Sequence, residues 1–458
     1  MAQAYAPRRP QSQALYQAVA ENFDLFRAVY DEQFLPRCGI LRKVARITFE
    51  KFLSCGLLRY GFAQAQCPAC PRQFLIAFSC QRRGVCTSCA AKRIELFCNL
   101  AHDHVIAEVP HRQIVFVLPK RLRCFFQGHS KMTTKLCRVM QQSLTLFFRQ
   151  GLSLKSAKPG LIACIQTFGD NLNPHTHLHV LCAEGAFTQE GFHPFCFDHE
   201  DLKILEKIFI QKVFRLLLQA KKITPWVKEQ MATWKHTGFS VDASVRISPG
   251  DKEGLFRLLR YMARPPLAKE RLAYDRATGN VTLFSAKDRA RVVAVHNVLE
   301  FLALLSLQVP PKGSHLIRYF GHYASRSRYL REKAKPETQT PNTQSINTLG
   351  DTPNKKARRK RWAQLIKQVF ELNPLRCHCG AEMKITGFVS KSIDIETTLT
   401  TLNIPLEDAP PRGPPSWYLA VQARRWIEQH QDFYPPQEDL PQSGPSTDDY
   451  QIDPTFPD

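Results

Sequence analysis

Three histidines occupy alternate positions in Asn173-Pro174-His175-Thr176-His177-Leu178-His179, ahead of Val180-Leu181-Cys182. On an extended strand alternate side chains share a face. His175, His177 and His179 therefore point one way, and Thr176, Leu178 and Val180 turn toward a core. Neighbouring imidazoles on one strand face can hold a divalent ion while leaving positions open for phosphate oxygens. A third ligand, an oxygen donor by preference, is expected beside them, and Asp170, Gln166 and His175 are the candidates.

A second donor set is sulfur. Cys67-Pro68-Ala69-Cys70 and Cys86-Thr87-Ser88-Cys89 are separated by fifteen residues. Each pair can bend two sulfurs toward one ion, and two such turns complete a tetrahedral, structural zinc site. Arg72, Arg82, Arg83, Lys92 and Arg93 surround the set, which fits a platform for phosphate backbone contact. Cys80, between the pairs, is expected to be an apolar neighbour, as are Cys124, Cys137 and Cys164 in their apolar settings. Cys377-His378-Cys379-Gly380 has one residue between its sulfurs and no matching pair nearby, which makes it a poor site by itself.

Residues 251–263 read as a helix that stops before Pro265-Pro266. Leu255, Leu258, Leu259 and Met262 fall at i, i+3, i+4 and i+7 and form its buried stripe. Tyr261 lies off that stripe, with Arg257 four residues before it and Arg264 three after. Guanidiniums on a tyrosine's own face favour phenolate and hold phosphate.

The elements that position these groups are mixed. Residues 13–63 read as helical. Strand-like segments at 112–119, 161–168 and 239–247 alternate with helices near 132–149, 201–220 and 251–263, which suggests an α+β domain. The expected organisation is a helical region 1–63, a zinc-binding module 64–104, a catalytic domain 105–335, a linker with a basic run 336–361, a small unit 362–410 that opens with a helix at 362–370, and a Pro-rich acidic tail 411–458. Residues 437–458 contain six acidic residues and no Lys or Arg.

The chain has 458 residues, 63 Lys+Arg against 40 Asp+Glu, and a formal charge of +23. With 44% apolar residues it can bury a core, and its charge favours a polyanionic partner, most simply nucleic acid. No apolar run approaches the length of a spanning helix. An N-terminus without an apolar stretch and fifteen scattered cysteines point to a reducing, cytoplasmic setting.

The stretch Phe168-Gly169-Asp170-Asn171-Leu172-Asn173-Pro174-His175-Thr176-His177-Leu178-His179 resembles the histidine–hydrophobe–histidine signature of HUH single-strand endonucleases. More narrowly, the chain is similar to rolling-circle transposases of the insertion-sequence-91 group. That resemblance continues at Phe78–Cys86, Arg260–Leu267, Arg318–Tyr323 and Leu375–Gly380, spanning roughly residues 40–400. It implies an antiparallel-sheet nuclease domain with flanking helices, preceded by a small zinc-binding domain. It further implies that His177 and His179 hold catalytic Mg²⁺ or Mn²⁺, and that Tyr261 attacks single-stranded DNA to leave a 5′-phosphotyrosine. Several family members carry a second tyrosine four residues earlier, where this chain has Arg257, so a single-tyrosine cycle is expected.

Tyr319, in Tyr319-Phe320-Gly321-His322-Tyr323, is the alternative nucleophile, within a segment expected to contact DNA through stacking aromatics. Arg82, Arg83, Arg257, Arg264, Arg318, Arg326, Arg328, Arg358 and Arg359 are the expected DNA contacts. The expected function is nicking and rejoining of single-stranded DNA at transposon ends and target, at the nucleoid and with a homodimer as a candidate assembly. A plasmid or phage replication initiator, or a non-catalytic zinc-dependent DNA-binding regulator, are the alternatives.

Overall fold

The computed structural model describes residues 10–285, 288, 290–333, 377–406 and 416–429. The expected linker and its Arg358 and Arg359, the helix at 362–370, and the chain beyond 429 lie outside the described residues.

The helical start is three pieces, not one: α1 (Ala14–Gln33), α2 (Leu35–Cys38) and α3 (Lys43–Leu53). A hairpin of β1 (Phe62–Gln66) and β2 (Gln73–Ala77) follows, then α4 (Thr87–His104). The catalytic-domain segment runs β3 (His111–Val117), α5 (Lys120–Arg123), α6 (Ser130–Gly151), β4 (Lys158–Phe168), β5 (Pro174–Phe187), β6 (Phe192–Pro194), α7 (His199–Gln219) and α8 (Pro225–Ala232). It continues with β7 (Ser240–Asp242), β8 (Arg246–Ile247) and α9 (Lys252–Met262). The strand expected over 239–247 is thus broken into two short pairings against β3.

Beyond α9 come β9 (Leu272–Asp275), β10 (Asn280–Phe284), β11 (Val292–Asn297), α10 (Val298–Leu307), β12 (Ile317–Gly321) and α11 (Ser325–Lys333). The last described elements are β13 (Lys384–Val389), α12 (Ser392–Thr401) and α13 (Ser416–Gln429). α13 falls inside the expected tail. It is a helix because it has a surface to cover, with Trp426 packing 6.3 Å from Phe34 after α1.

Among the described residues all strand pairs are antiparallel. The central sheet has the order β12-β4-β5-β3-β7, with β6 on β5 and β8 on β3. Its two faces are both covered. On one, Ile114, Phe116, Leu178, Val180 and Cys182 pack under α6 and α7. On the other, Ile162, Cys164, Leu181 and Ala183 pack under α4 and α9. The expected stripe Leu255, Leu258, Leu259 and Met262 is the buried side of α9. Each such side chain contributes roughly 1.5–3 kcal/mol of burial, enough to hold a helix of three turns that would be marginal alone.

The N-terminal helices form a separate core with the small sheet β11-β10-β9 and α10, in which Phe26, Phe49, Val281, Phe301 and Leu302 are buried. A third sheet, β13-β1-β2, joins the C-terminal strand to the N-terminal hairpin. Among the described residues no helix is long and apolar enough to cross a membrane. Cys137 and Cys164 are buried as expected, whereas Cys124 is exposed because it follows the one-turn helix α5 at the surface.

Candidate functional site

β5 carries the histidines and the register explains their arrangement. His179 lies opposite Cys164 on β4 and Val115 on β3, and His177 opposite Gln166 and Val117. The three imidazoles form a row, with centroids 4.6 Å apart from His175 to His177 and 4.9 Å from His177 to His179. They share the sheet face that α9 covers, so His177 and His179 are buried rather than solvated.

The hydrogen bonds set their chemistry. His177 Nδ1 lies 2.8 Å from the His175 carbonyl oxygen, which can only accept. Nδ1 therefore donates and Nε2 keeps a lone pair. Gln113 Nε2 is 2.8 Å from His179 Nδ1, and His179 Nε2 is buried without a hydrogen-bond partner. The oxygen and nitrogen of an amide exchange places by a half-turn; with that turn Oε1 accepts from Nδ1–H, and the free Nε2 becomes a ligand atom.

Burial pushes all three histidines toward the neutral form. His179 falls to about 3 and His175 to about 4, with neighbouring His177 a further cause in each, and His177 is lowered as well. Neutral imidazoles that keep a lone pair free suit a divalent metal. Gln113 is a site residue that sequence reasoning missed. Its signal was a lone Gln in the apolar strand Arg112–Pro119.

Tyr261 sits at the end of α9 and is 47% exposed. Its ring stands 5.4 Å from His179, edge to face at 85°. Arg264 Cζ lies 5.0 Å over the Tyr261 ring, 3.8 Å separates its guanidinium from Asp170, and its Nε donates to Gln166 at 3.4 Å. Gln166 is 1% exposed and donates from Nε2 to the Met262 and Tyr261 carbonyls at 2.9 and 3.3 Å. Those carbonyls belong to the last helical turn, which has no internal donors. Gln166 thus pins the end of α9, and with it Tyr261, to the strand beside the histidines. Asp170 is exposed, its backbone carbonyl accepting from Arg271 at 3.1 Å.

Tyr319 is on edge strand β12, opposite Ile162, half-buried, and its hydroxyl is raised by burial. Arg328 covers its ring at 5.5 Å. Tyr323, expected among stacking aromatics, is fully buried instead. Its hydroxyl accepts from the Ala107 amide at 3.3 Å and pairs with His111 Nε2 at 2.7 Å. Gly160 admits the ring, since a Cβ there would lie 2.8 Å from it. Tyr323 is a core residue because the chain turns inward after Gly321.

The expected DNA arginines divide. Arg257 and Arg326 are exposed. Arg318 lines an open groove of about 670 Å³ beside β12, with Ser130, Thr134, Lys312, His315 and Tyr319. Arg83, in contrast, donates to the Ser314 carbonyl and its guanidinium pKa is lowered by burial, so it is not a free surface cation, while Arg82 is half-buried.

The four-thiolate set Cys67, Cys70, Cys86 and Cys89 does not assemble. Two clusters form instead: Cys55, Cys80, Cys86 and Cys89, and Cys67, Cys70, Cys377 and Cys379. Cys86 and Cys89 open α4, where Cys55 and Cys80 approach through the core of the N-terminal helices. Cys80 is therefore one of the four sulfurs and not an apolar bystander. Sulfur separations are 3.6 Å for Cys55–Cys86, 3.8 Å for Cys55–Cys89 and 3.7 Å for Cys80–Cys89. Four sulfurs about 2.3 Å from one zinc lie at tetrahedral edges of about 3.8 Å, so the set fits structural zinc.

Comparison with known proteins agrees with this layout. The family described as "Putative transposase" matches residues 160–330, and that described as "Transposase zinc-binding domain" matches residues 25–118. The transposase for insertion sequence element IS801 of Pseudomonas savastanoi pv. phaseolicola is 23% identical over 371 residues, 77% of this chain and 86% of that protein. The "Putative transposase y4qJ" of Sinorhizobium fredii is 25% identical over 387 residues, 80% of this chain and 94% of that protein. No solved structure matches significantly. With a zinc-binding segment followed by a transposase segment, and with relatives aligned over most of its length, the chain belongs to the insertion-sequence-91 family of transposases.

Proposed function

We propose that this transposase nicks and rejoins single-stranded DNA at the ends of its element and at its target, with Tyr261 as nucleophile. The observation that carries the reading is the contact between Tyr261 and His179, with Arg264 over the phenol ring. In the proposed step the Tyr261 oxygen attacks a backbone phosphorus in line. The bond from phosphorus to the 3′ oxygen breaks, and its electron pair leaves with that oxygen, which takes a proton. One phosphodiester is exchanged for one phosphotyrosine, so the reverse attack by a 3′-hydroxyl rejoins DNA without an external energy source.

His177 and His179 would hold Mg²⁺ or Mn²⁺ through Nε2, which when bound withdraws charge from the scissile phosphate. Asp170, His175 and Gln166 are the third-ligand candidates. A phenol is a weak nucleophile at neutral pH, and the Arg264 guanidinium 5.0 Å over the ring would offer its charge to the scissile phosphate. Gln166 sets the reach of Tyr261, and Gln113 orients His179. Arg257, Arg318, Arg326 and the groove beside β12 would track the strand's phosphates, as would Arg358 and Arg359. Tyr319, covered by Arg328 and half-buried in the sheet, fits a stacking role better than attack.

The test is a denaturation-resistant adduct. The protein is incubated with element-end oligonucleotides and Mg²⁺ or Mn²⁺, and the expected product is protein joined to the 5′ end of the released strand. Metal-dependent binding that never yields an adduct would leave only a DNA-binding regulator.

A further inference from the structure

We propose that Cys67, Cys70, Cys377 and Cys379 form a second structural zinc site, by which the C-terminal unit is clasped onto the N-terminal hairpin. Two of these ligands lie outside the segment matched as a zinc-binding domain, and the site is independent of the nuclease reading.

The sulfur positions come first. Cys67 Sγ is 3.6 Å from Cys379 Sγ, and Cys70 Sγ is 3.5 Å from Cys377 Sγ. All four lie within 4.8 Å of one another. These separations match the edges of a tetrahedron around zinc and are far longer than the roughly 2.05 Å of a disulfide. The partners are 312 and 307 residues apart in sequence, so chance proximity along the chain does not explain the set.

The backbone is shaped for it on both sides. At the β1–β2 turn the Cys67 amide donates to the Arg72 carbonyl at 2.9 Å, and the Ala69 amide points at Cys67 Sγ at 3.4 Å. The second knuckle repeats the closure, with the Cys377 amide donating to Ala381 at 2.9 Å and Gly380 to Cys377 at 3.0 Å. Gly380 has φ +86, which a side chain would strain. A Cys-x-Cys spacing is sufficient here because Cys377 and Cys379 reach different sulfurs of the facing pair. Amide-to-sulfur bonds stabilise thiolates, the form in which cysteine binds metal.

The pairing of β13 with the hairpin brings the two knuckles to one end of the sheet. β13 pairs with β1 from Phe62↔Val389 to Gln66↔Lys384. Ala63, Ala65, Ile76 and Met383 pack behind the sulfurs, and Leu58, Phe62, Leu75, Ile395 and Leu399 form a second small core. Two knuckles at one end of a three-stranded antiparallel sheet is a zinc-ribbon arrangement, here assembled from distant parts of one chain. Cores this small depend on a metal for stability. Cys379 is exposed and Cys70 half-buried, so this ion is nearer solvent than one held by Cys55, Cys80, Cys86 and Cys89.

The full-length protein, stripped under reducing conditions and titrated with Co²⁺, tests the assignment. Two equivalents with tetrahedral thiolate spectra are expected for the wild type, and one for Cys377→Ser/Cys379→Ser. A single equivalent in the wild type, or two in the double variant, would overturn it. Because Cys55→Ser could fail to fold, the deep site is checked by the equivalent retained in the double variant. The clasp itself is read by hydrogen exchange: amides of Lys384–Val389 should exchange about tenfold faster or more in the double variant, with those of Leu258–Met262 unchanged. Equal protection of β13 in both proteins would show that metal does not hold the unit in place.

Discussion

The Tyr261 ring meets the His179 imidazole edge to face at 85°, with centroids 5.4 Å apart, although the residues lie on different elements. The contact exists because α9 packs its leucines on the same sheet face that carries the histidines. It joins a half-exposed phenol to a buried, neutral imidazole, and the predictions below start from it.

Tyr261→Phe removes one hydroxyl from a residue that is 47% exposed. Surface changes of this size stay within about 0.5 kcal/mol. Thermal unfolding should be unchanged, and the covalent adduct with single-stranded DNA should be lost. An adduct that persists in this variant and disappears in Tyr319→Phe would move the nucleophile to β12.

Gln113→Leu leaves His179 Nδ1 without its partner 2.8 Å away. Removing a group that orients a metal-binding histidine typically weakens affinity by about 10–100-fold. Calorimetric titration of Mn²⁺ should show that loss, and Gln113→Glu should recover much of the affinity because a carboxylate also accepts from Nδ1–H.

His111 predicts a pH dependence of stability. Burial lowers its pKa from 6.5 to about 4, with a backbone hydrogen bond to Val109 opposing. The folded state thus prefers neutral His111, whose Nε2 accepts from Tyr323. Its contribution is complete above about pH 6.5 and is lost as pH falls toward 4, on the order of 3 kcal/mol in all. Denaturant midpoints should fall across that window less steeply in His111→Gln than in the wild type. Parallel slopes would refute the assignment.

Glu184 is 2% exposed and accepts from both Arg112 and Arg246 at 2.6 Å. Breaking a buried ion pair from one side costs about 3–5 kcal/mol. Glu184→Ala should lower stability by that order in urea unfolding, whereas Arg246→Ala, whose side chain is half exposed, should cost far less.

Much of the site was legible in local pattern. Period-two alternation put His175, His177 and His179 on one face, and the spacing of Leu255, Leu258, Leu259 and Met262 left Tyr261 off the buried stripe. The covering of that histidine face by α9, and the roles of Gln113 and Gln166, were not legible. A single polar residue in an apolar strand has no partner until the strands are in register. Tyr323 misled for the same reason, because its basic neighbours describe the surface while its ring faces Gly160 and His111 inside.

The cysteines draw the boundary most sharply. The sequence by itself determined that Cys67/Cys70 and Cys86/Cys89 each offer two neighbouring thiolates, because the reach of a Cys-x-x-Cys pair is local geometry whether it lies on a turn or, as at Cys86/Cys89, on the first turn of a helix. Only the tertiary structure decided which sulfurs meet: Cys86 and Cys89 with Cys55 and Cys80, Cys67 and Cys70 with Cys377 and Cys379. A pair of thiolates carries no label for its complement. That choice was made by the pairing of β13 with β1 and by the insertion of Cys86 and Cys89, at the start of α4, into the core of the N-terminal helices.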